Sequence, residues 1–203
     1  FYKPGEYDLA GFCVGVVEQD KLIDGSTISI NDRVIGLASS GLHSNGFSLA
    51  RKVLLEKGRL SMTDTPAGLS RPVGLELLEP TRIYVKALLN LVKSFNIKGL
   101  VHITGGGFYD NIPMIIPDVC RCVVSSGSWD IPPVFSVIQE IGAVDDHEMF
   151  RVFNMGIGMM MIVSEKECRD ILDRLEVLGE KAYLIGSIEK KEQGQPAVCF
   201  SEG

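Results

Sequence analysis

From Asp32 onward, short apolar runs of strand length alternate with stretches whose apolar residues recur every three or four positions. That alternation constrains the fold more than any other feature. "DRVIGLAS" (32–39) reads as a buried strand, and the following "SGLHSNGFSLARKVLLEKG" sets Phe47, Ala50, Val53 and Leu54 at helical spacing. Ser44 or Asn45 is the expected cap of that helix and Gly58 its stop. Residues 59–72 read as loop, 73–79 as a short helix before Pro80, and 81–95 as a helix with Ile83, Leu88, Leu89 and Val92 on its apolar side. "LVHI" (100–103) is a short strand, and the helix after it is limited by Pro113 and Pro117. "CRCVVS" (120–125) alternates as a strand does, "PPVFSVIQEIG" opens on prolines and carries a helical stripe, and "DDHEMFRVF" supplies another helical turn or two. "IGMMMIV" (157–163) is a buried strand. "SEKECRDILDRLEVLG" starts with a capping box, Ser164 with Glu167, and stops at Gly179. "YLIGSI" and "AVCF" close the chain as strands. The order predicts a layered α/β or α+β domain.

A chain of 203 residues with 45% hydrophobic content has enough apolar mass for a real core. Its formal charge of −6 argues against nucleic acid, which needs a basic face, though a local cluster can still hold a small phosphorylated ligand. No run has the length of a membrane span. Cys13, Cys120, Cys122, Cys168 and Cys199 form no CxxC pair, and Cys120 and Cys122 share one face of their strand. They read as thiols in a reducing cytosol, with a disulfide or zinc site the lesser option.

"HITGGGFYDN" (102–111) places three glycines between a strand and a helix start. Either the turn needs positive φ, or the backbone N–H groups of Gly105, Gly106 and Gly107, beside Thr104, line an anion nest. Taken by itself the turn is the commoner case, since the pattern is neither GxxxxGK[ST] nor GxGxxG. "SSGLHSNG" (39–46) is a second strand-to-helix loop, and Ser39, Ser40, Gly41, Ser44, Asn45 and Gly46 offer it donors. Each loop carries a histidine, His43 or His102, able to donate a hydrogen bond or move a proton. Loops at the carboxyl ends of neighbouring strands share a crevice, so the pair of loops argues more strongly for a site than either alone. Arg82 and Lys86 lie four apart on one helix face, where a solvated pair is the commoner outcome. Arg151 and Asn154 stand ahead of the strand at 157, with Arg151 suited to a bidentate hold on phosphate. Asp145, Asp146 and Glu148 fit a cation, a base or an acidic helix start. No HExxH, CxxC, facial-triad or GxSxG spacing occurs, so no dedicated metal site or serine nucleophile is expected.

In order, "DLAGFCVGVVE", "SSGLHSNGFSLAR", "LLEPTRIYVK", "HITGGGFYDNIP" and "EMFRVFNMGIGM" resemble the aminoimidazole ribonucleotide synthetase family, the phosphoribosylformylglycinamidine cyclo-ligases of purine synthesis. The resemblance runs over nearly the whole chain. It implies a C-terminal α+β domain, a mixed sheet covered by helices, in a protein that uses ATP and Mg2+ to close the imidazole ring on formylglycinamidine ribonucleotide, releasing ADP and phosphate. The glycine and HSNG loops become candidates for the sugar-phosphate cradle or for contacts to the transferred phosphoryl group, and His43 and His102 candidates for proton transfer. The resemblance also implies a cytoplasmic homodimer built largely through an upstream nucleotide-binding domain. On that reading residues 1–24 are the last strand of the upstream domain and 25–203 the C-terminal domain, and the chain alone is inactive. Tyr7 to Glu18 is then a strand without its sheet, either disordered or paired with another chain. Two other classes remain open: a non-catalytic anion-binding or assembly module, and the synthetase half of a related ATP-dependent amidotransferase.

Overall fold

The computed structural model describes residues 3–202. Six strands build one sheet: β1 (Arg33–Ala38), β2 (Ile97–His102), β3 (Cys120–Ser126), β4 (Ile157–Val163), β5 (Ala182–Lys190) and β6 (Val198–Glu202). Their spatial order is β2-β4-β1-β5-β3-β6. Neighbours run antiparallel except β3 and β6, which are parallel, so the sheet is mixed as expected.

Seven α-helices cover it: α1 (Phe47–Arg51), α2 (Val73–Leu77), α3 (Val85–Leu91), α4 (Gly107–Asn111), α5 (Pro133–Gly142), α6 (Asp146–Val152) and α7 (Glu165–Val177). The period-two geometry of a strand sorts side chains between two cores. In β4, Met160 and Ile162 enter one and Met161 and Val163 the other. The first core takes Leu54, Val73, Phe108, Ile138 and Met149 from the layer holding α1, α2, α4, α5 and α6. The second takes Leu91 from α3 and Ile171 and Leu175 from α7. Both faces of β4 are therefore dry, which is why its sequence is an unbroken apolar run.

Local signals are realised where they are strong. Ser164 Oγ donates to Glu167 Oε2 at 2.7 Å and accepts from Glu167 N at 3.3 Å, and this side-chain cap starts α7. Pro133 opens α5, and Cys120 and Cys122 are buried in the same core. The five cysteines are free thiols. No described helix is long and apolar enough to cross a membrane.

Two local expectations differ. The cap of α1 is Gly46 rather than Ser44 or Asn45, because those two side chains are taken by tertiary partners described below. The helix after Pro80 begins only at Val85, and residues 80–84 form a bridging segment. Residues 7–18 form no strand here: Tyr7, Leu9, Phe12, Val14 and Val16 are between 79% and 100% exposed. The segment before β1 is instead anchored by an ion pair the sequence did not flag. Lys98 Nζ lies 2.7 and 2.8 Å from the two carboxylate oxygens of buried Asp32, whose Oδ2 also accepts from Ser29 N at 2.7 Å.

Candidate functional site

β1 and β2 both run antiparallel to β4, which lies between them. Their carboxyl ends and the amino end of β4 therefore meet at one edge of the domain. Three loops converge there: 39–46 after β1, 103–107 after β2, and 153–156 before β4. The start of β5 faces the same edge, since it too runs antiparallel to β1.

Asn154, fully buried, ties the first loop to the third. Its Nδ2 donates to Gly41 O at 2.9 Å, and its Oδ1 accepts from Gly156 N at 2.9 Å. Ser39 Oγ stands 3.1 Å from Gly41 O and 3.0 Å from Asn154 Oδ1, one hydroxyl proton between two acceptors. Asn45 Nδ2 donates to Ile103 O at 3.1 Å and so ties the first loop to the second. Segment 80–84 is stitched on from outside: Ser40 Oγ donates to Pro80 O at 2.6 Å, Ser44 Oγ and Thr81 Oγ1 lie 3.2 Å apart, and Tyr84 OH donates to Ala38 O at 2.9 Å.

The glycine triplet resolves into two kinds of glycine. Gly106 and Gly107 have φ of +93° and +57°, and a Cβ on Gly107 would collide with the Phe150 carbonyl at α6. A Cβ on Gly106 would strike the side chain of Asp110. Both are required by the turn and by the close approach of α4 to α6. Gly105 is different: its φ is not in the left-handed region, and an added Cβ would meet nothing within 4 Å. The protein does not need that glycine for its own packing. Asn111 holds the loop open, with Oδ1 accepting from Thr104 Oγ1 at 2.9 Å and Nδ2 donating to Gly105 O at 3.1 Å and Gly107 O at 2.9 Å. Among the described residues, the N–H groups of Gly105 and Gly106, and of Gly41, Leu42, His43 and Ser44, meet no protein acceptor.

The charged candidates are less available than their sequence implies. Arg82 Nη2 lies 3.0 Å from Glu180 Oε2 just before β5, an approach without hydrogen-bond alignment. Arg151 is held by Glu148 through Nε and Nη2, each at 2.7 Å. His102 is exposed at the end of β2, whereas His43 is 4% exposed. Burial, with the nearby His102 and Arg82, pushes the His43 imidazole down to about 4. Among the described residues no three His, Cys, Asp or Glu side chains gather into a metal-sized group. A cavity of about 870 Å3 lies apart from these loops, between residues 17–27, α3 and β2, and is lined among others by Leu22, Val85, Leu89, Phe95 and Lys98.

The sequence profile of the AIR synthase related protein, C-terminal domain, matches residues 29–198. The chain belongs to that family. It is 62% identical over 200 residues to the phosphoribosylformylglycinamidine cyclo-ligase of Syntrophus aciditrophicus (strain SB), covering 98% of this chain and 58% of that protein. It is 52% identical over 198 residues to the enzyme of the same name from Citrifermentans bemidjiense, covering 98% and 57%. The chain thus spans a little over half the length of these relatives. A crystal structure of the hydrogenase maturation protein HypE in complex with ATP shares the fold, with a TM-score of 0.60, 17% identity, and coverage of 92% of this chain and 52% of that one. Thr81, Tyr84, Asn111 and Gly158 escaped the sequence reading as parts of the site. The first two lie in the quoted "PTRIYV" stretch, and Asn111 ends the glycine-loop motif, so the residues were in view while their partners were not.

Proposed function

We propose that this chain is the substrate-holding, C-terminal part of an ATP-dependent phosphoribosylformylglycinamidine cyclo-ligase. The longer protein converts formylglycinamidine ribonucleotide to aminoimidazole ribonucleotide with release of ADP and phosphate. The carrying observation is Gly105, a glycine with open space at its Cβ position, set among unpartnered N–H groups on two converging loops. A sugar phosphate is a ligand that such donors fit, because backbone N–H groups bind oxyanions without adding bulk.

In this reading the N–H groups of Gly105 and Gly106, with those of Gly41–Ser44 and the Ser44 and Thr81 hydroxyls, hold the 5-phosphate. Ser39, Asn45, Gly46, Thr104, Gly107 and Asn154 shape the loops that present those donors. Arg82 and Arg151, each held by a carboxylate, add positive field at the rim. The exposed His102 is the histidine placed to meet substrate and move a proton. ATP with Mg2+ supplies the phosphoryl group that activates the amide oxygen, and its binding residues belong to the upstream domain. Residues 1–24 belong to that domain as its last strand, which accounts for the exposed apolar side chains of residues 7–17. The longer protein is a cytoplasmic homodimer, and this chain alone is inactive.

The test is calorimetric titration of the longer protein with formylglycinamidine ribonucleotide, comparing wild type with Gly105→Val. The Cβ of a side chain at 105 meets no protein atom within 4 Å, so thermal stability should hold while substrate affinity falls at least tenfold. Unchanged affinity sinks the cradle. Tight binding with no turnover in the presence of Mg-ATP favours instead a non-catalytic anion-binding module.

A further inference from the structure

His43 is the least expected residue of the converging loops. It is not a glycine, yet its φ is +56°. Left-handed backbone at such a residue costs roughly 1 kcal/mol or more and persists where side-chain contacts over-determine it. Those contacts are specific. His43 Nε2 accepts from Ser40 N at 3.1 Å, across its own loop, and from Arg82 N at 3.4 Å, across to segment 80–84. One ring lone pair serves two donors, the nearer bond being the stronger. An Nε2 that accepts cannot carry the proton, so the proton sits on Nδ1, which is buried without a protein partner. The ring packs against Tyr84, with centroids 6.2 Å apart. Gly158 of β4 makes room for both: a Cβ there would collide with the Tyr84 hydroxyl and stand 2.5 Å from His43 Cε1.

We propose that His43 is a positioning residue, not a proton carrier: its unprotonated Nε2 clamps the Ser40–Ser44 loop onto segment 80–84 and so sets the spacing of the donors that face substrate. A proton on Nε2 would remove the acceptor from two backbone N–H groups at once. It would also place a cation beside His102 and Arg82, with Glu180 paired to Arg82 and Tyr84 neutral. Ser40, Ser44 and Thr81 would then lose their fixed spacing. Misplacing a binding group by about 1 Å is enough to lower turnover roughly 10²-fold. The clamp thus acts on catalysis through the loop, and that part of the inference rests on the cyclo-ligase reading.

The experiment has two arms. Nitrogen-15 imidazole NMR on the chain should show His43 in the Nδ1–H tautomer and still neutral at pH 5.5 to 6, where an unburied histidine is mostly charged. An Nε2–H tautomer, or full protonation at that pH, overturns the clamp with no variant needed and regardless of any activity. In the longer protein, His43→Leu should lower cyclo-ligase kcat about 10²-fold. His43→Gln, whose amide oxygen reaches the Nε2 position and cannot titrate, should restore most of it with the pH profile unchanged. A His43→Gln protein as inactive as His43→Leu, with a limb of the pH profile gone, identifies a proton carrier and overturns the proposal. The clamp tautomer in a longer wild-type protein that has no cyclo-ligase activity would leave the clamp standing and remove the functional reading instead.

Discussion

Asn154 and Gly41, 113 residues apart, are joined by a 2.9 Å hydrogen bond from the buried Asn154 amide to the Gly41 carbonyl. That bond, with the two that Asn154 Oδ1 accepts, fixes how the loop after β1 sits over the start of β4. Asn154→Ala leaves Gly156 N without a partner inside the protein, and Gly41 O with only the Ser39 hydroxyl. Each buried polar group left unsatisfied costs about 1–3 kcal/mol. Urea unfolding should show that loss, and Asn154→Asp should fare no better at neutral pH, because it removes the donor to Gly41 O and buries a charge.

The glycines of the triplet should respond differently to one methyl group. Gly107→Ala sets a Cβ against the Phe150 carbonyl at positive φ, and thermal melting should show a loss of about 1–3 kcal/mol or more. Gly105→Ala should melt within about 0.5 kcal/mol of wild type, the range of a neutral surface change. Equal losses at both positions would mean that the triplet is a structural turn throughout.

The Lys98–Asp32 pair helps to hold the segment before β1, and both side chains are largely buried, at 13% and 5% exposure. Lys98→Ala leaves the carboxylate without its cation, and removing one partner of such a pair costs about 3–5 kcal/mol. Adding Asp32→Asn to Lys98→Ala should recover much of the loss, since the double variant carries no orphaned charge. Chemical denaturation of the single and double variants measures the coupling.

His43 gives stability a defined pH dependence. Its folded pKa is depressed to about 4 from the ordinary 6.5, because burial disfavours the cation and His102 and Arg82 repel it. The unfolded chain therefore binds the proton more tightly. The contribution of neutral His43 is complete above pH 6.5 and is lost as pH falls from there toward about 4. The melting temperature should fall across that window, and His43→Gln should flatten that portion of the curve. An identical slope in the variant would assign the fall to the carboxylates.

Much of the fold was legible because its signals are local. The Ser164–Glu167 cap spans three residues, the Pro133 helix start is a matter of one φ, and the alternation that buries Cys120 with Cys122 has a period of two. The residues of the converging loops were legible as a set, and their arrangement was not. Ser44 and Asn45 read as helix caps, yet their side chains go to Thr81 and to the Ile103 carbonyl, which leaves the cap to Gly46. Arg151 read as a cation suited to an anion and Arg82 as a solvated surface cation, and each has a carboxylate beside it.

By itself, the sequence determined which stretches are strands and helices from Asp32 onward, the two loops that gather donors, and the motifs that mark the family. Those properties depend on backbone preferences and side-chain spacing within a few residues, which a linear string records directly. Only the tertiary structure decided that β4 separates β1 from β2 and brings their loops together, that Gly105 alone of its triplet is sterically free, and that His43 is buried against Tyr84 while His102 faces solvent. Each of these follows from strand order and from contacts between residues far apart in the chain, where the same side chain accepts whichever partner the packing delivers.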